Sequence, residues 1–283
     1  PMSEFIIENF NQNFNLAFLS RGYKRATSGF VLATNDSKVD TIGDEPFQIF
    51  KKFKNLKVAV DENRSNGIKN LIQMFPSLDA IVLDDVFQHR YINLKLNILL
   101  TSYNKPFFED YLPPIGTLRE TVKGMQRADV IVVTKCPINM ENKEKELISR
   151  KLKLKSNQDL FFASVSYNEI LDGKEKINIS ELKNRKVLLL TGIADTNSIV
   201  EYLKLKKIDF DHLSFGDHHV YNQSDYLKIS SKFENYSIVT TEKDFYKLSL
   251  LPFKNVIYFL KIKTKFLCSE RKFIKKIEQA IAN

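Results

Sequence analysis

Ala80-Ile81-Val82-Leu83-Asp84-Asp85-Val86-Phe87-Gln88-His89-Arg90 runs from four apolar residues directly into two adjacent acids. Apolar residues at consecutive positions fit a strand covered on both faces, the pattern of a parallel sheet flanked by helices. Ligands of such sheets gather beyond the carboxyl ends of the strands, which is where Asp84 and Asp85 stand. Two carboxylates there can hold Mg²⁺, directly or through water, beside the phosphates of a nucleotide. The plainer alternative is that one Asp caps a following helix and the other is solvated. Gln88, His89 and Arg90, within one further turn, favour the functional reading.

The same pattern recurs along the chain. Leu16–Ser20, Val58–Val60, Ala80–Asp84, Ile98–Leu100, Asp129–Thr134, Val187–Thr191, Ser237–Thr240 and Val256–Leu260 read as strands, separated by longer amphipathic stretches. The expected fold is α/β, with two lobes built on mainly parallel sheets. The first lobe covers 1–157, closing on the Lys-rich stretch 141–158. A β-hairpin linker covers 158–184, its arms at 162–167 and 176–179 with Asp172-Gly173 between them. The second, smaller lobe covers 185–283. Pro1-Met2-Ser3 reads as a helix already under way, with Pro at a first-turn position and no strand before it.

Composition narrows the function classes. Over 283 residues, 43% hydrophobic content supports a substantial core and excludes a largely disordered chain. Gly 9 and Pro 8 exclude collagen-like and low-complexity designs. Cys136 and Cys268 are too far apart for a paired metal motif and give no disulfide framework. No apolar run approaches the ~18 residues that span a bilayer. Lys+Arg 43 against Asp+Glu 34, a net +9, favours anionic partners: nucleotides, nucleic acid or an acidic membrane surface.

Four further stretches carry candidate chemistry. Ile42-Gly43-Asp44-Glu45-Pro46 is a loop and helix start that can also present Asp44 as a carboxylate base. Phe215-Gly216-Asp217-His218-His219 gathers histidines without the spacing of a structural zinc site, so a loop His assisting proton transfer is its functional reading. In Leu112 to Glu120, Thr117 and Glu120 have capping-box spacing, which would put Arg119 in a first helical turn where an anion explains it. Arg21 after the first strand, and Arg64 after Val58–Val60, are cations in equivalent loops. Thr134-Lys135-Cys136-Pro137 resembles the base-reading loop of GTPases, but Pro137 stands where an Asp would hold guanine.

Taken in order, Ser20-Arg21-Gly22-Tyr23, Gly43-Asp44-Glu45-Pro46, Leu83 to Arg90, Gly116-Thr117-Leu118-Arg119-Glu120, Arg127-Ala128-Asp129, Asp217-His218 and Thr240-Thr241-Glu242-Lys243-Asp244 resemble the tetraacyldisaccharide 4'-kinase family of lipid A biosynthesis. The resemblance implies a P-loop kinase with two RecA-like lobes. Such a kinase moves the γ-phosphate of ATP to the 4'-hydroxyl of an acylated glucosamine disaccharide 1-phosphate, giving lipid IVA. It implies Asp84 and Asp85 as the Mg²⁺-organising acids, Asp44 as the catalytic carboxylate, His218 as its partner from the second lobe, and Arg119 as an active-site cation. Arg21, Arg64, Gln88 and His89 join Arg119 as candidates for binding substrate or phosphate.

The family's Gly-rich phosphate loop is not found in the chain, which reads as beginning just past it. Weak MgATP binding and one missing sheet strand are therefore expected. The resemblance also implies a monomer, peripheral on the cytoplasmic face of the bacterial inner membrane and docked on anionic lipid. No nucleic-acid partner is expected. The rival reading is a non-catalytic basic module that binds nucleic acid or another anionic partner.

Overall fold

The computed structural model describes residues 1–282. In chain order the first elements are α1 (Met2–Phe10), β1 (Leu16–Ser20), β2 (Val31–Leu32), α2 (Val39–Ile42), α3 (Asp44–Lys52), β3 (Lys57–Val60), α4 (Arg64–Met74) and β4 (Ala80–Leu83). They are followed by β5 (Ile98–Ser102), β6 (Val130–Thr134), α5 (Asn142–Leu152), β7 (Asp159–Tyr167), β8 (Ile170–Gly173) and β9 (Ile177–Asn178). The remainder is β10 (Val187–Thr191), α6 (Asn197–Leu205), β11 (Asp211–Ser214), α7 (Gln223–Lys232), β12 (Ser237–Thr241), α8 (Glu242–Leu248), β13 (Ile257–Leu260), β14 (Ile262–Phe266) and α9 (Glu270–Ala282).

All eight expected strands are present. Six of them, all but β4 and β5, have a strand on each side, and apolar side chains on both faces suit that place: β1 and β10 are buried at every position. Three sheets result, ordered β2-β3-β1-β4, β14-β7-β6-β5 and β11-β10-β12-β13-β8-β9. Pairing is parallel between β1 and both β3 and β4, through β5-β6-β7, and through β11-β10-β12-β13.

One apolar cluster joins the first two sheets. Phe5 and Phe10 of α1, Phe18 of β1, Val132 of β6 and Phe161 of β7 pack with Phe273 and Ile277 of α9. The third sheet has its own core on each face, centred on Leu189 and Tyr258 on one side and on Leu190 and Ile238 on the other. β4 and β5 are each hydrogen-bonded on one side only among the described residues. Both line an apolar cavity of about 470 Å³ that reaches Asp84 and Asp85.

Two expectations need correction. The hairpin is formed by β8 and β9, not by 162–167 and 176–179: Ile170 pairs with Asn178 and Leu171 with Ile177. The segment 162–167 belongs instead to β7, inside the second sheet. Asp172-Gly173 is consequently strand rather than turn, and Gly173 is required by close approach: a Cβ there would lie 2.4 Å from the Ile257 carbonyl oxygen. Secondly, residues 262–282 do not stay with the second lobe. β14 pairs antiparallel with β7, and α9 enters the first core.

Phe273 is fully buried, with Phe161 at 5.3 Å and Phe266 at 4.6 Å between ring centroids. Phe273→Ala should therefore cost about 3–5 kcal/mol of stability, checked by urea unfolding. A cost below about 1 kcal/mol would mean that α9 is not part of the core it touches here.

Candidate active site

Two lobes meet where α3 faces α8. Gly43, at φ +89°, ends α2 and lets the chain turn straight into α3, so Asp44 occupies the first helical position. A carboxylate there is favoured by the helix dipole. From the second lobe, His218 reaches it: Nδ1 lies 3.2 Å from Asp44 Oδ2 across 174 residues of chain. His218 adopts φ +58°, a strained conformation for a side chain of this size, and its amide donates to the Gly192 carbonyl. The Tyr23 ring stands edge-on to the imidazole at 5.1 Å.

Two lysines of α8 complete the cluster. Lys247 Nζ is buried and lies 3.3 Å from Asp44 Oδ2 and 3.3 Å from Asp244 Oδ1, and it donates to the His219 carbonyl. Lys243 Nζ lies 3.2 Å from His218 Nε2 and 3.6 Å from Glu45. With Lys243 donating to Nε2, the Nδ1 proton of His218 is directed at Asp44. Burial alone would push the Asp44 carboxyl up, but the charges of Lys247 and Lys243 outweigh it and hold the group below its ordinary value. Asp244 is fully buried and accepts from the Gly192 amide and the Thr241 hydroxyl, which fixes Lys247 from behind.

The paired acids at the end of β4 behave differently. Asp84 accepts a hydrogen bond from the Ser3 hydroxyl of α1 at 3.1 Å. Burial, with the charge of Glu45 adding to it, pushes the Asp84 carboxyl up. Asp85, at φ +51°, points elsewhere, and Arg119 Nη1 donates to both of its carboxylate oxygens, at 2.7 and 2.6 Å. No helix follows β4: residues 84–97 are loop, so neither acid is a cap.

A partly buried carboxylate and a neighbouring hydroxyl are hard oxygen donors suited to Mg²⁺. Among the described residues no three His, Cys, Asp or Glu side chains gather as a metal cage.

The remaining candidates divide. Arg21 is exposed beyond β1, and its charge is felt by both Arg64 and His89. His89 is drawn down first by burial and then by the charge of Arg64, and its Nδ1 meets the Tyr91 hydroxyl at 2.7 Å. Gln88 folds back on the Asp85 carbonyl. Arg64 is a correction: it is fully buried, and it donates to the carbonyls of Asp61 at 2.7 Å and Asp84 at 3.3 Å. In this arrangement it braces the β4 loop from within. The capping box at 117–120 is also absent. Glu120 is held by Arg90 and Arg127, and Arg119 lies in loop.

Sequence reasoning missed Ser3, Lys243 and Lys247 as site residues. Lys243 lay in a quoted motif without a role, and its i,i+4 spacing to Lys247 on one helix face was the available signal.

Comparison with known proteins gives the arrangement its context. A crystal structure of LpxK from Aquifex aeolicus in complex with ATP superposes with a TM-score of 0.74 at 26% identity, over 99% of this chain and 83% of that one. The tetraacyldisaccharide 4'-kinase of Flavobacterium johnsoniae is 40% identical over 282 residues, 99% of this chain and 82% of the relative. That of Bacteroides thetaiotaomicron is 40% identical over 293 residues, 96% of this chain and 77% of the relative.

Fold and site together define an α/β phosphotransferase whose two lobes bring an acid and an imidazole into contact. The family profile described as LpxK, tetraacyldisaccharide-1-P 4'-kinase, matches residues 1–282. The chain belongs to this family, whose reaction is ATP-dependent 4'-phosphorylation of the acylated disaccharide in lipid A biosynthesis.

Lys247→Met leaves two buried carboxylates without their cation and should cost about 3–5 kcal/mol at pH 7. The folded Asp44 carboxyl lies below its unfolded value of 3.8, so its contribution is complete above that pH. It is lost as pH falls through the lower folded value. Urea midpoints at pH 7 and pH 3 should show the gap between variant and parent shrinking in acid.

Proposed function

We propose that Asp44 and His218 orient the 4'-hydroxyl of the acceptor sugar for attack on the γ-phosphate of ATP, with Asp44 taking its proton. The contact between Asp44 Oδ2 and His218 Nδ1 at 3.2 Å carries this reading, because it sets an acid and an imidazole from separate lobes side by side, the arrangement that proton transfer from a hydroxyl requires. A carboxylate held below its ordinary value is ionised at neutral pH but is a weak base. Phosphoryl transfer through a loose transition state asks for little more, since the hydroxyl proton leaves late. Positioning is therefore the larger part of what the pair supplies.

Charge on the transferring group is offset from two sides. Lys243 and Lys247 stand beside Asp44, and Arg119 stands over Asp85 at the end of β4. Asp84 with the Ser3 hydroxyl would hold Mg²⁺, which when bound would neutralise phosphate oxygens. Arg21, Gln88 and His89 lie around the same edge and would meet ATP or the 1-phosphate of the acceptor. Residues 170–260 act as the second lobe, which carries His218 and Lys243 to the first. On this reading the enzyme works as a monomer on the cytoplasmic face of the inner membrane, where it meets an acylated glucosamine disaccharide 1-phosphate. None of the described helices is long and apolar enough to cross a membrane.

Asp44→Asn and His218→Ala should each lower the rate of phosphoryl transfer from ATP to the acylated disaccharide 1-phosphate by roughly 10²–10⁴. ATP binding, measured by calorimetry, should stay near that of the parent protein. A D44N variant with parental kcat would overturn the assignment.

A further inference from the structure

The loop between β5 and β6 carries a feature the chemistry above does not use. Tyr111-Leu112-Pro113-Pro114-Ile115 are five consecutive apolar residues, all exposed. Ile115 is 83% exposed, Tyr111 66% and Leu112 42%. Soluble surfaces rarely concentrate apolar residues in this way without a partner. The segment is built rather than loose. Asp110 Oδ1 accepts from the amides of Tyr111 and Thr117, and its Oδ2 accepts from the Thr117 hydroxyl at 2.6 Å. The Leu118 amide donates to the Tyr111 carbonyl at 3.0 Å, closing the neck of the loop. A braced neck thus holds an apolar tip out in solvent.

The charge around the neck is biased toward cations. Each nearby carboxylate is already engaged: Glu109 by Lys151, Asp110 by the loop itself, and Glu120 by Arg127 and Arg90. Lys105 and Lys123 are exposed; Lys105 reaches the Thr117 hydroxyl at 3.2 Å and its charge is felt by Asp110. An apolar tip carrying a Tyr, above exposed lysines, matches an anionic lipid leaflet: tip among the acyl chains, ring and ammonium groups at the headgroups. The same loop continues into Arg119, which touches Asp85, so a tip in the leaflet holds the β4 edge close to the bilayer surface.

We propose that residues 111–115 insert into an anionic leaflet and dock the enzyme beside its substrate. The choice of a membrane rests on the lipid-kinase reading, whereas the choice of this loop rests on its exposure and bracing. The chain has no tryptophan, so one introduced residue reports alone. Ile115→Trp, with Leu205→Trp as a control at a 78% exposed position in the third-sheet lobe, would be mixed with vesicles of phosphatidylethanolamine and phosphatidylglycerol.

The expected result is a blue shift and quenching by brominated lipid for I115W, with L205W unmoved. The double variant L112E/I115E should bind these vesicles roughly 10-fold or more weakly than the parent. Unmoved I115W emission, equal vesicle binding by the double variant, or a response only to the detergent-dispersed acylated disaccharide would each overturn the proposal. Failure of the kinase reading is distinguishable, because it shows as parental transfer by D44N and leaves the I115W emission unaffected.

Discussion

One carboxylate has to remain charged while almost removed from water, and the junction between the lobes is organised around that constraint. Asp44 cannot keep its charge by solvation, so two lysines on one face of α8 supply the compensation. Those lysines need anchoring in turn. Asp244 provides it, itself tied to the Gly192 amide and the Thr241 hydroxyl at the start of α8. Phe47 meets Tyr246 edge to face at 5.7 Å on the same pair of helices, which fixes the spacing that the ion pairs require. The contact between lobes is therefore electrostatic at its centre and aromatic at its side.

Two acids of the site are pushed in opposite directions by their surroundings. Asp44 is drawn down by lysines, whereas Asp84, with a hydroxyl and no cation in direct contact, is pushed up by burial. Such a separation suits the separate tasks proposed for them: Asp44 is kept anionic by the protein's own lysines, whereas Asp84 would gain most from a cation brought with the substrate. Asp85 stands apart from both, because Arg119 Nη1 already bridges its two carboxylate oxygens.

The central strands could be read directly because covering on both faces demands unbroken apolar runs, as in Leu16–Ser20 and Val187–Thr191. Edge elements gave no such signal. β11 is Asp211-His212-Leu213-Ser214, mostly exposed, and exists because its backbone pairs with β10. The hairpin was misplaced because Asp-Gly is a strong turn signal, while Gly173 answers to the Ile257 carbonyl of a strand far along the chain. At the site, Asp44, His218, Asp84 and Asp85 were visible as residue types at suggestive places. Their pairings were not, since Asp85 with Arg119 and Asp44 with His218 are set by tertiary packing. Arg64 shows the reverse problem: a cation after a strand looks like a phosphate ligand until its complete burial is known.

The return of β14 and α9 to the first core has a consequence for synthesis. β7 emerges from the ribosome about a hundred residues before the strand that pairs with its open edge, and Phe5 waits more than twice as long for Phe273. At roughly 5–20 residues per second, that is a delay of about 5–20 s during which the amino-terminal half stands with its largest apolar cluster unsealed. The intervening third sheet, whose own strands pair among themselves, can fold in that interval. The order of assembly is then inverted relative to the order of translation: the lobe made second closes first, and the lobe made first is completed last.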